Sequence, residues 1–318
     1  MVRHEGVFTV IRIFGLKIKI ISKTRQAQAR VRELKKYIDD RSDEQYRNLA
    51  NKLSNIVARW SIPVRLDHVS VSLADHCNYN CFACMTFSNI AKPKFADIEM
   101  VTRDLKKLAE LTNKRLDFIN LYGGEPLLHP NIVPFFKVAR EMFVDSRITL
   151  TTNATLLLKQ GLNFWTAVKE YNIDITPTRY SELNMLETEK YAASFGVELH
   201  YWDSDAPRES VYQPLDLKGG QNNLTSFTNC FQPNCTILRE GRIYPCQPPA
   251  LIHIFNEHFN QCLEVSKFDY LELDRVQDER EILEFISRPI PFCRYCKVWA
   301  HKRMGGHLLS QREIGEWT

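Results

Sequence analysis

Hydrophobic and polar positions alternate regularly between residues 66 and 205. Apolar runs of strand length recur at five places: Val69–Leu73, Phe118–Tyr122, Ile148–Thr152, Ile173–Ile175 and Val197–Tyr201. Segments with helical spacing of apolar residues lie near 97–112, 131–143, 157–170 and 183–194. Strands that alternate with helices of this length predict βαβ units, an α/β fold and a parallel sheet. Because a closed eight-stranded barrel needs about 250 residues, we expect a partial TIM-like barrel of the (β/α)6 type.

The residues on either side of this stretch follow different patterns. The segment VFTVIRIFGLKIKII alternates apolar and basic residues and predicts a short hairpin around Gly15, and residues 24–60 predict a polar helix. After Trp202 the alternation stops, and a smaller region rich in cysteine follows. We therefore expect a basic N-terminal segment with a helix (1–62), a partial barrel (63–205) and a cysteine-rich C-terminal region (206–318).

The net charge of +4 is concentrated at one end of the chain. The first 36 residues contain ten Lys and Arg against two acids, so the remainder is mildly acidic. This distribution argues against a nucleic-acid-binding body. The basic segment is either a strand pair with solvated lysines or a peripheral contact with an anionic membrane or partner. No run reaches the length of a membrane span and no signal cleavage site is found, so a cytoplasmic bacterial protein is expected.

Three of the nine cysteines follow the first predicted strand of the barrel. Cys77, Cys81 and Cys84 have the spacing C-x3-C-x2-C, and such groups in a reducing compartment bind metal or do redox chemistry more often than they form disulfides. A structural zinc site needs a fourth ligand, and none lies nearby in the sequence. An iron–sulfur cube held by three thiolates instead keeps one iron open for another ligand.

A second motif, GGEPLLHP, follows the second predicted strand. C-x3-C-x2-C after the first strand with GGEP after the second resembles the radical S-adenosylmethionine (SAM) superfamily, over roughly residues 66–205. The resemblance implies that Cys77, Cys81 and Cys84 hold a [4Fe–4S] cluster whose fourth iron binds SAM. It also implies that the SAM ammonium is received by the GGEP residues Gly123, Gly124, Glu125 and Pro126. Reductive cleavage of SAM would then give a 5′-deoxyadenosyl radical that abstracts a substrate hydrogen.

Two further segments bear on this resemblance. The sequence ITLTTN ends with Thr152 and Asn153 and resembles the segment that contacts the ribose and carboxylate of SAM, although Ala154 replaces the usual glycine. The alternative is a helix N-cap at Asn153 or Thr155. The superfamily usually has an aromatic residue directly before the third cysteine, where this chain has Ala83, so packing against adenine is expected to differ.

The C-terminal region contains a second group of cysteines. The spacing of Cys230, Cys246, Cys293 and Cys296 resembles the SPASM or Twitch extension of radical SAM enzymes, which implies an auxiliary [4Fe–4S] cluster. A closed zinc ribbon would suit four thiolates equally well, and Cys235 is an alternative to Cys230. The segment TILREGRIYPC predicts a hairpin at Glu240–Gly241 with Cys246 on its return strand. Cys262 is expected to be a buried thiol in a helical stretch.

The resemblance implies a radical SAM oxidoreductase that receives electrons from a reduced flavodoxin or ferredoxin. We expect it to oxidise, epimerise or dehydrate a sugar-like or other small substrate. The alternatives are modification of a peptide or protein, and a non-catalytic iron–sulfur or zinc protein. Polar residues at strand ends that could face a substrate are Tyr122, Thr176, Arg179, Tyr180, His200 and Asp203. For His200 a place in the core is the alternative, and for Arg179 and Tyr180 an exposed loop.

Overall fold

The computed structural model describes residues 2–5, 8–13, 16–21, 49–51, 53–54, 56–57, 60–181, 183–201, 207–232 and 235–318. The chain forms two compact units, Met1–Ala58 and Arg59–Thr318. No helix in these described ranges is long and apolar enough to cross a membrane.

The first unit contains a three-stranded antiparallel sheet of β1 (Val2–Glu5), β2 (Phe8–Ile13) and β3 (Leu16–Ile21). Ile13 pairs with Leu16 across residues 14 and 15, which confirms the hairpin predicted around Gly15. Strand β1, which pairs with β2, was not predicted. Of the predicted helix, residues 24–48 lie outside the described residues, and the described positions between 49 and 60 are helical.

The second unit is built on a seven-stranded sheet. The strands of the seven-stranded sheet are β4 (His68–Ser72), β5 (Phe118–Tyr122), β6 (Arg147–Thr152), β7 (Ile173–Pro177), β9 (Ile237–Arg239), β10 (Arg242–Tyr244) and β11 (Leu271–Glu272). A separate two-stranded sheet is formed by β8 (Val211–Tyr212) and β12 (Lys302–Arg303). The sheet has the order β11-β10-β9-β4-β5-β6-β7. Strands β9, β4, β5, β6 and β7 are parallel, which confirms an α/β fold with a mostly parallel sheet.

Helices connect the parallel strands as the periodicity predicts. The described helices of eight or more residues, together with the shorter α5, are α1 (Ile98–Leu111), α2 (Val133–Met142), α3 (Leu162–Glu170), α4 (Met185–Ser194), α5 (Asn223–Thr228), α6 (Gln247–Phe259) and α7 (Glu279–Ile286). Asp97 caps α1 by accepting a hydrogen bond from Met100 N, and Leu105 and Leu108 bury its apolar face. The hydrophobic core lies between these helices and the sheet. In a sheet of this kind, ligands bind outside the carboxyl ends of the strands, where the loops are not part of the core.

The sheet differs from the prediction at both edges. The predicted strand Val197–Tyr201 forms a single parallel bridge, between Leu199 and Ile175. Val197 and Leu199 are buried while Glu198 and His200 are exposed, so only alternate residues hold this segment against β7. On the other side of β4 the neighbouring position is taken by β9, from the C-terminal region. One sheet therefore includes strands from both sides of residue 205, and the domain boundaries at 62 and 205 stay predictions.

Candidate functional site

The first three cysteines lie in the loop that leaves the carboxyl end of β4, where the sequence predicted them. Cys77 Sγ accepts hydrogen bonds from Tyr79 N at 3.3 Å and from Asn153 Nδ2 at 3.4 Å. Cys81 Sγ lies 3.4 Å from Tyr180 Oη, and Cys84 Sγ lies 3.2 Å from Thr86 Oγ1. The loop thus presents three thiols, each with a polar neighbour.

Burial keeps the first thiol of this loop neutral in the absence of a metal. Burial, together with the charges of Glu125 and Cys84, raises the pKa of Cys77 to about 12 against the hydrogen bonds from Tyr79 and Asn153. In the described part of the chain, no three His, Cys, Asp or Glu side chains converge on one metal ion. The donors that the loop offers are thiols alone, a set that suits an iron–sulfur cluster, and iron would keep them ionised. The donor set therefore fits the cluster that the resemblance implies.

The GGEP segment lies directly against the backbone that leads into this loop. A Cβ at Gly123 would stand 2.4 Å from Ala74 O, and one at Gly124 would stand 2.2 Å from His76 O. Gly124 N donates a hydrogen bond to Ala74 O at 2.7 Å, and Glu125 N donates one to His76 O at 3.0 Å. Both positions require glycine because two backbones meet there. Pro126 then begins a short 3₁₀ helix, Pro126–Leu128.

Glu125 joins the ends of β5 and β6. Its fully buried carboxylate accepts hydrogen bonds from Thr152 Oγ1 at 2.6 Å, Asn153 N at 2.7 Å and Leu127 N at 3.0 Å. Burial raises its pKa to about 7, although all three hydrogen bonds favour the charged form. The structure thus gives this side chain a task that the sequence did not reveal, since it fixes Thr152 and Asn153. Its contact with the SAM ammonium stays a prediction.

Asn153 connects this network to the first cysteine. Its Nδ2 donates to Cys77 Sγ and to Asn78 Oδ1, the latter at 2.8 Å, while its Oδ1 accepts from Thr155 N at 3.0 Å. The contact with Thr155 is an Asx-turn rather than a helix N-cap, because the 3₁₀ helix that follows, Leu157–Lys159, has Leu156 as its N-cap. Ala154 follows in a left-handed conformation, φ 67°, which explains why glycine is usual at this position of the superfamily.

Tyr180 is a part of this site that the sequence left open. The structure buries its ring between Tyr79 and His307, with centroid distances of 4.3 and 4.6 Å. Burial, followed by the charges of Cys81 and Cys77, raises the pKa of Tyr180. Its hydroxyl therefore stays protonated and donates a hydrogen bond to Cys81 Sγ when that thiol is ionised. The exposed-loop alternative is wrong for Tyr180.

Residues 71–176, which contain all three cysteines, GGEP and ITLTTN, match the family model described as the radical SAM superfamily. The match covers about a third of the chain, and over these residues the chain is similar to the radical SAM superfamily. The cofactors of that superfamily are a [4Fe–4S] cluster and SAM.

Two curated proteins are similar in sequence to part of this chain. The GTP 3′,8-cyclase of Peptoclostridium acidaminophilum is 33% identical over 113 residues, which are 35% of this chain and 34% of that protein. The GTP 3′,8-cyclase of Staphylococcus epidermidis is 30% identical over 156 residues, or 43% and 44% of the two chains. This chain therefore spans less than half the length of the curated relatives that it matches.

Solved structures with a similar chain path include two complexes. BtrN in complex with AdoMet and 2-DOIA aligns with 73% of this chain and 93% of its own, at a TM-score of 0.45 and 16% identity. Streptococcus suis SuiB bound to precursor peptide SuiA aligns with 51% and 39%, at a TM-score of 0.35 and 16% identity.

The radical SAM cysteine loop is also contacted by residues 307–318, which we name the strap. Phe82 N donates to Leu308 O at 2.9 Å, and Ser310 N donates to Asn80 O at 2.9 Å. No motif in the sequence predicted this contact. The strap carries His307, Glu316 and Trp317, polar or aromatic residues with no recognisable spacing.

A buried ion pair ties the start of the radical SAM cysteine loop to β9. Arg239 donates from Nη1 to Asp75 Oδ1 at 2.5 Å and from Nη2 to Asp75 Oδ2 at 2.8 Å, and both side chains are more than 90% buried. Burial would raise the pKa of Asp75, but hydrogen bonds from His253 and Arg239 and the charge of Arg239 hold it at about 2. The pair is therefore ionised across the neutral range.

The second group of cysteines lies on elements that follow the radical SAM residues. The hairpin predicted at Glu240–Gly241 is confirmed, with left-handed φ values of 50° and 73°. Cys246 lies beyond its return strand, at the N-cap of α6, because β10 ends at Tyr244. The expectation that Cys246 lies on the strand was therefore wrong by two residues.

The other cysteines of this group surround the packed contact between α5 and the 3₁₀ helix Pro291–Tyr295, which contains Cys293. Ser226 Oγ on α5 donates to Cys296 O at 3.0 Å, and Cys230 N donates to Phe227 O at 3.2 Å. Cys230, Cys246, Cys293 and Cys296 all pack on the main hydrophobic core. Ligation of a cluster by these four thiols stays a prediction.

The two cysteines outside this group, Cys235 and Cys262, have different surroundings. Cys235 lies near the buried hydroxyl of Tyr122, whose pKa is raised by burial and then by the charge of Cys235. Among the described residues, that hydroxyl has no hydrogen-bond partner. Cys262 is exposed and follows the end of α6, so the expectation of a buried helical thiol was wrong. The apolar residues around it in sequence face inward while its own side chain faces solvent.

The remaining polar candidates have different surroundings. Thr176 is buried at the end of β7. Arg179 lies over the ring of Tyr201 at 4.1 Å. His200 is 44% exposed and lies 3.9 Å from Asp174, so its alternative place in the core is wrong. Asp203 lies outside the described residues.

Proposed function

We propose that this radical SAM enzyme abstracts a hydrogen atom from a carbon that bears a hydroxyl group in a small substrate, a sugar or the ribose of a nucleotide. Cys77, Cys81 and Cys84 hold the cluster that binds SAM. The observation that carries the proposal is the Glu125 network, which brings GGEP, Thr152 and Asn153 onto Cys77 in one buried arrangement. These are the segments that the resemblance assigns to SAM.

The chain's own residues prepare the site for this chemistry. When bound, the cluster and SAM supply a reductive cleavage that yields methionine and a 5′-deoxyadenosyl radical, which removes the substrate hydrogen. Asn153 Nδ2 and Tyr180 Oη make hydrogen bonds to the sulfurs of Cys77 and Cys81 and would tune the reduction potential. Gly123 and Gly124 keep the space free of side chains, so the backbone beside Cys77 stays close.

The class of substrate is supported by a cavity beside the cysteine loop. Its volume is about 270 Å³, and its polar lining includes Thr86, Arg208, Glu209, Gln232 and Gln247. Cys81 and Cys84 also line this cavity, and the polar side chains beside them would suit a small polar molecule. The name GTP 3′,8-cyclase likewise describes a new bond at a ribose carbon. A sugar and a ribose share the C–H bonds that such a radical attacks.

The second group of cysteines completes the proposal. Cys230, Cys246, Cys293 and Cys296 would bind an auxiliary [4Fe–4S] cluster that accepts an electron from the substrate radical, or that binds the substrate. A reduced flavodoxin or ferredoxin of the cytoplasm would supply the electron that starts each turnover. Oxidation of an alcohol to a carbonyl removes a hydrogen atom from carbon and then a proton and one electron, and the auxiliary cluster would accept that electron.

The direct test is SAM cleavage by the anaerobically reconstituted and reduced chain. We expect 5′-deoxyadenosine from the wild type and none from Cys81→Ala, while Cys262→Ala, at an exposed position, keeps the wild-type rate. A panel of uniformly deuterated hexoses, GTP and short peptides identifies the substrate class, since the true substrate transfers deuterium to 5′-deoxyadenosine. Activity that survives Cys81→Ala would disprove the cluster assignment. Transfer from peptides alone would disprove the substrate class.

A further inference from the structure

The strap pairs with the middle of the cysteine loop. Its Leu308 O accepts from Phe82 N at 2.9 Å, and Leu309 forms an isolated antiparallel bridge with Cys81. Asn80 is held at both ends, because its Nδ2 donates to Ser310 O at 2.6 Å and its backbone carbonyl accepts from Ser310 N at 2.9 Å. The backbone on both sides of Cys81 is thus paired with a segment that follows it by more than 200 residues.

Glu316 reaches the residue between the second and third cysteines. Its carboxylate is buried at 6% exposure, and Oε2 accepts from Ala83 N at 3.4 Å. Oε1 accepts from Gln311 N at 2.6 Å, which fixes the carboxylate within the strap. Ala83 has a left-handed backbone, φ 49°, a conformation that a residue with a Cβ rarely adopts without support. Glu316 therefore satisfies the amide of a left-handed residue in the loop.

Trp317 holds the third cysteine. Its indole Nε1 donates to Cys84 O at 3.0 Å, and its ring, 2% exposed, packs against Phe87 and against Phe259 of α6. Its own carbonyl accepts from Leu215 N at 2.6 Å. The indole thus connects Cys84 to the helix that begins after Cys246, through one packed side chain.

We propose that Glu316 and Trp317 are positioning residues of the first cysteine site, which hold the backbone from Cys81 to Cys84 so that both thiolates face the cluster. The proposal rests on the proposed function, in which these cysteines bind the cluster. Neither side chain touches a thiol. Each acts through a main-chain atom of the loop, Ala83 N or Cys84 O, and the left-handed turn at Ala83 sets the direction of the two cysteines that flank it.

The test compares Glu316→Ala, Glu316→Gln and Trp317→Phe with the wild type and with Glu198→Gln. Glu198 is an exposed residue outside the strap. Trp317→Phe keeps the ring and loses only the indole donor. The readouts are iron per chain, its loss to a chelator, and the electron paramagnetic resonance spectrum of the reduced cluster with and without SAM. Thermal unfolding of the iron-free chains shows whether each variant folds.

We expect Glu316→Ala and Trp317→Phe to fold and to lose iron to the chelator about 10-fold faster, the scale typical of groups that orient metal ligands. Glu316→Gln keeps one acceptor oxygen and lies between the wild type and Glu316→Ala, and Glu198→Gln matches the wild type. Wild-type iron retention and spectra in both Glu316→Ala and Trp317→Phe would overturn the proposal. If Trp317→Phe does not fold, the two Glu316 variants decide it.

A separate variant distinguishes failure of the proposed function. Cys77→Ala/Cys81→Ala/Cys84→Ala should lose the SAM-sensitive spectrum altogether. If the triple variant keeps that spectrum, the first site does not hold the cluster, and both proposals fall. If the triple variant loses it while the strap variants do not, only the positioning role is wrong.

Discussion

At the scale of single residues, buried charge decides how the cysteine loop is anchored. Asp75 lies two residues before Cys77, and its carboxylate is paired in both oxygens with the guanidinium of Arg239. When its partner is removed, a buried arginine keeps its positive charge but no longer has a nearby negative charge to offset the cost of burying it. The loop that carries the first site is therefore held to β9 by an ion pair, and removal of either partner should lower the free energy of unfolding.

Asp75→Asn should lower the free energy of unfolding at pH 7 by about 3 kcal/mol. The pKa of Asp75 is held at about 2 in the folded chain against an ordinary value of 3.8, so its contribution is complete above that ordinary value. It is lost as the pH falls through the folded pKa. Urea unfolding of the iron-free chain at pH 7 and at pH 3 measures the difference between wild type and variant, which should be smaller at pH 3.

Asp67→Asn is the matched control, because Asp67 is exposed and its ion pair with Arg65 has a length of 3.8 Å. A surface pair of this kind contributes little, so this variant should unfold like the wild type. An Asp75→Asn chain as stable as the wild type would show that the buried pair does not anchor the loop.

At the scale of elements, the site depends on how closely two backbone segments approach. The GGEP segment after β5 runs against residues 74–76 after β4, and Glu125 continues the contact to the end of β6. Three consecutive parallel strands are thus tied together at their carboxyl ends. The glycines allow this approach, and the Glu125 carboxylate stabilises it through its hydrogen bonds.

Gly124→Ala should disrupt this junction. The added Cβ would meet His76 O at 2.2 Å and the carbonyl carbon at 2.5 Å, both of them main-chain atoms that cannot move without shifting the cysteine loop. We expect a loss of about 2 kcal/mol in the free energy of unfolding, as in other overpacked interiors, and a lower iron content. Gly306→Ala, where no atom lies within 4 Å of the added Cβ, is the control for both measurements. Wild-type iron content in Gly124→Ala would contradict the close-approach argument.

At the scale of the whole molecule, the second unit joins two groups of cysteines through one sheet and one core. Strand β9, beside β4, leads through the Glu240–Gly241 turn to β10 and then to Cys246 at the start of α6. The strap returns from the end of the chain to the first loop. The unit therefore fixes the two cysteine groups relative to one scaffold, which a second metal centre requires.

Cys293→Ala/Cys296→Ala should reduce the iron of the reconstituted chain from about eight to about four atoms, because each [4Fe–4S] cluster holds four. Plasma emission analysis for iron and zinc measures the change, with Cys262→Ala as the control. Unchanged iron together with a loss of one zinc would identify the second site as a zinc ribbon. Retention of the SAM-sensitive spectrum in the double variant would show that the two sites assemble separately.

Local patterns predicted most of the fold. The periodicity of apolar residues located β4 to β7 and α1 to α4 within a few residues, because a buried face has to repeat every two or every 3.6 positions. Turn residues located two hairpins, at Gly15 and at Glu240–Gly241. Chemistry was equally local at the first site, where three thiols lie within eight residues and GGEP follows the next strand.

The contacts that complete the site could not be predicted in this way. Glu316 meets Ala83 across 233 positions, and Arg239 meets Asp75 across 164. Tyr180 became a neighbour of Cys81, and Cys262 an exposed thiol, through the packing of segments that no periodicity relates. The sequence by itself determined which residues form strands, turns and thiol groups, since these depend on neighbours along the chain. Only the tertiary structure decided which side chains hold the cysteine loop, because that choice depends on which distant surfaces bury each other.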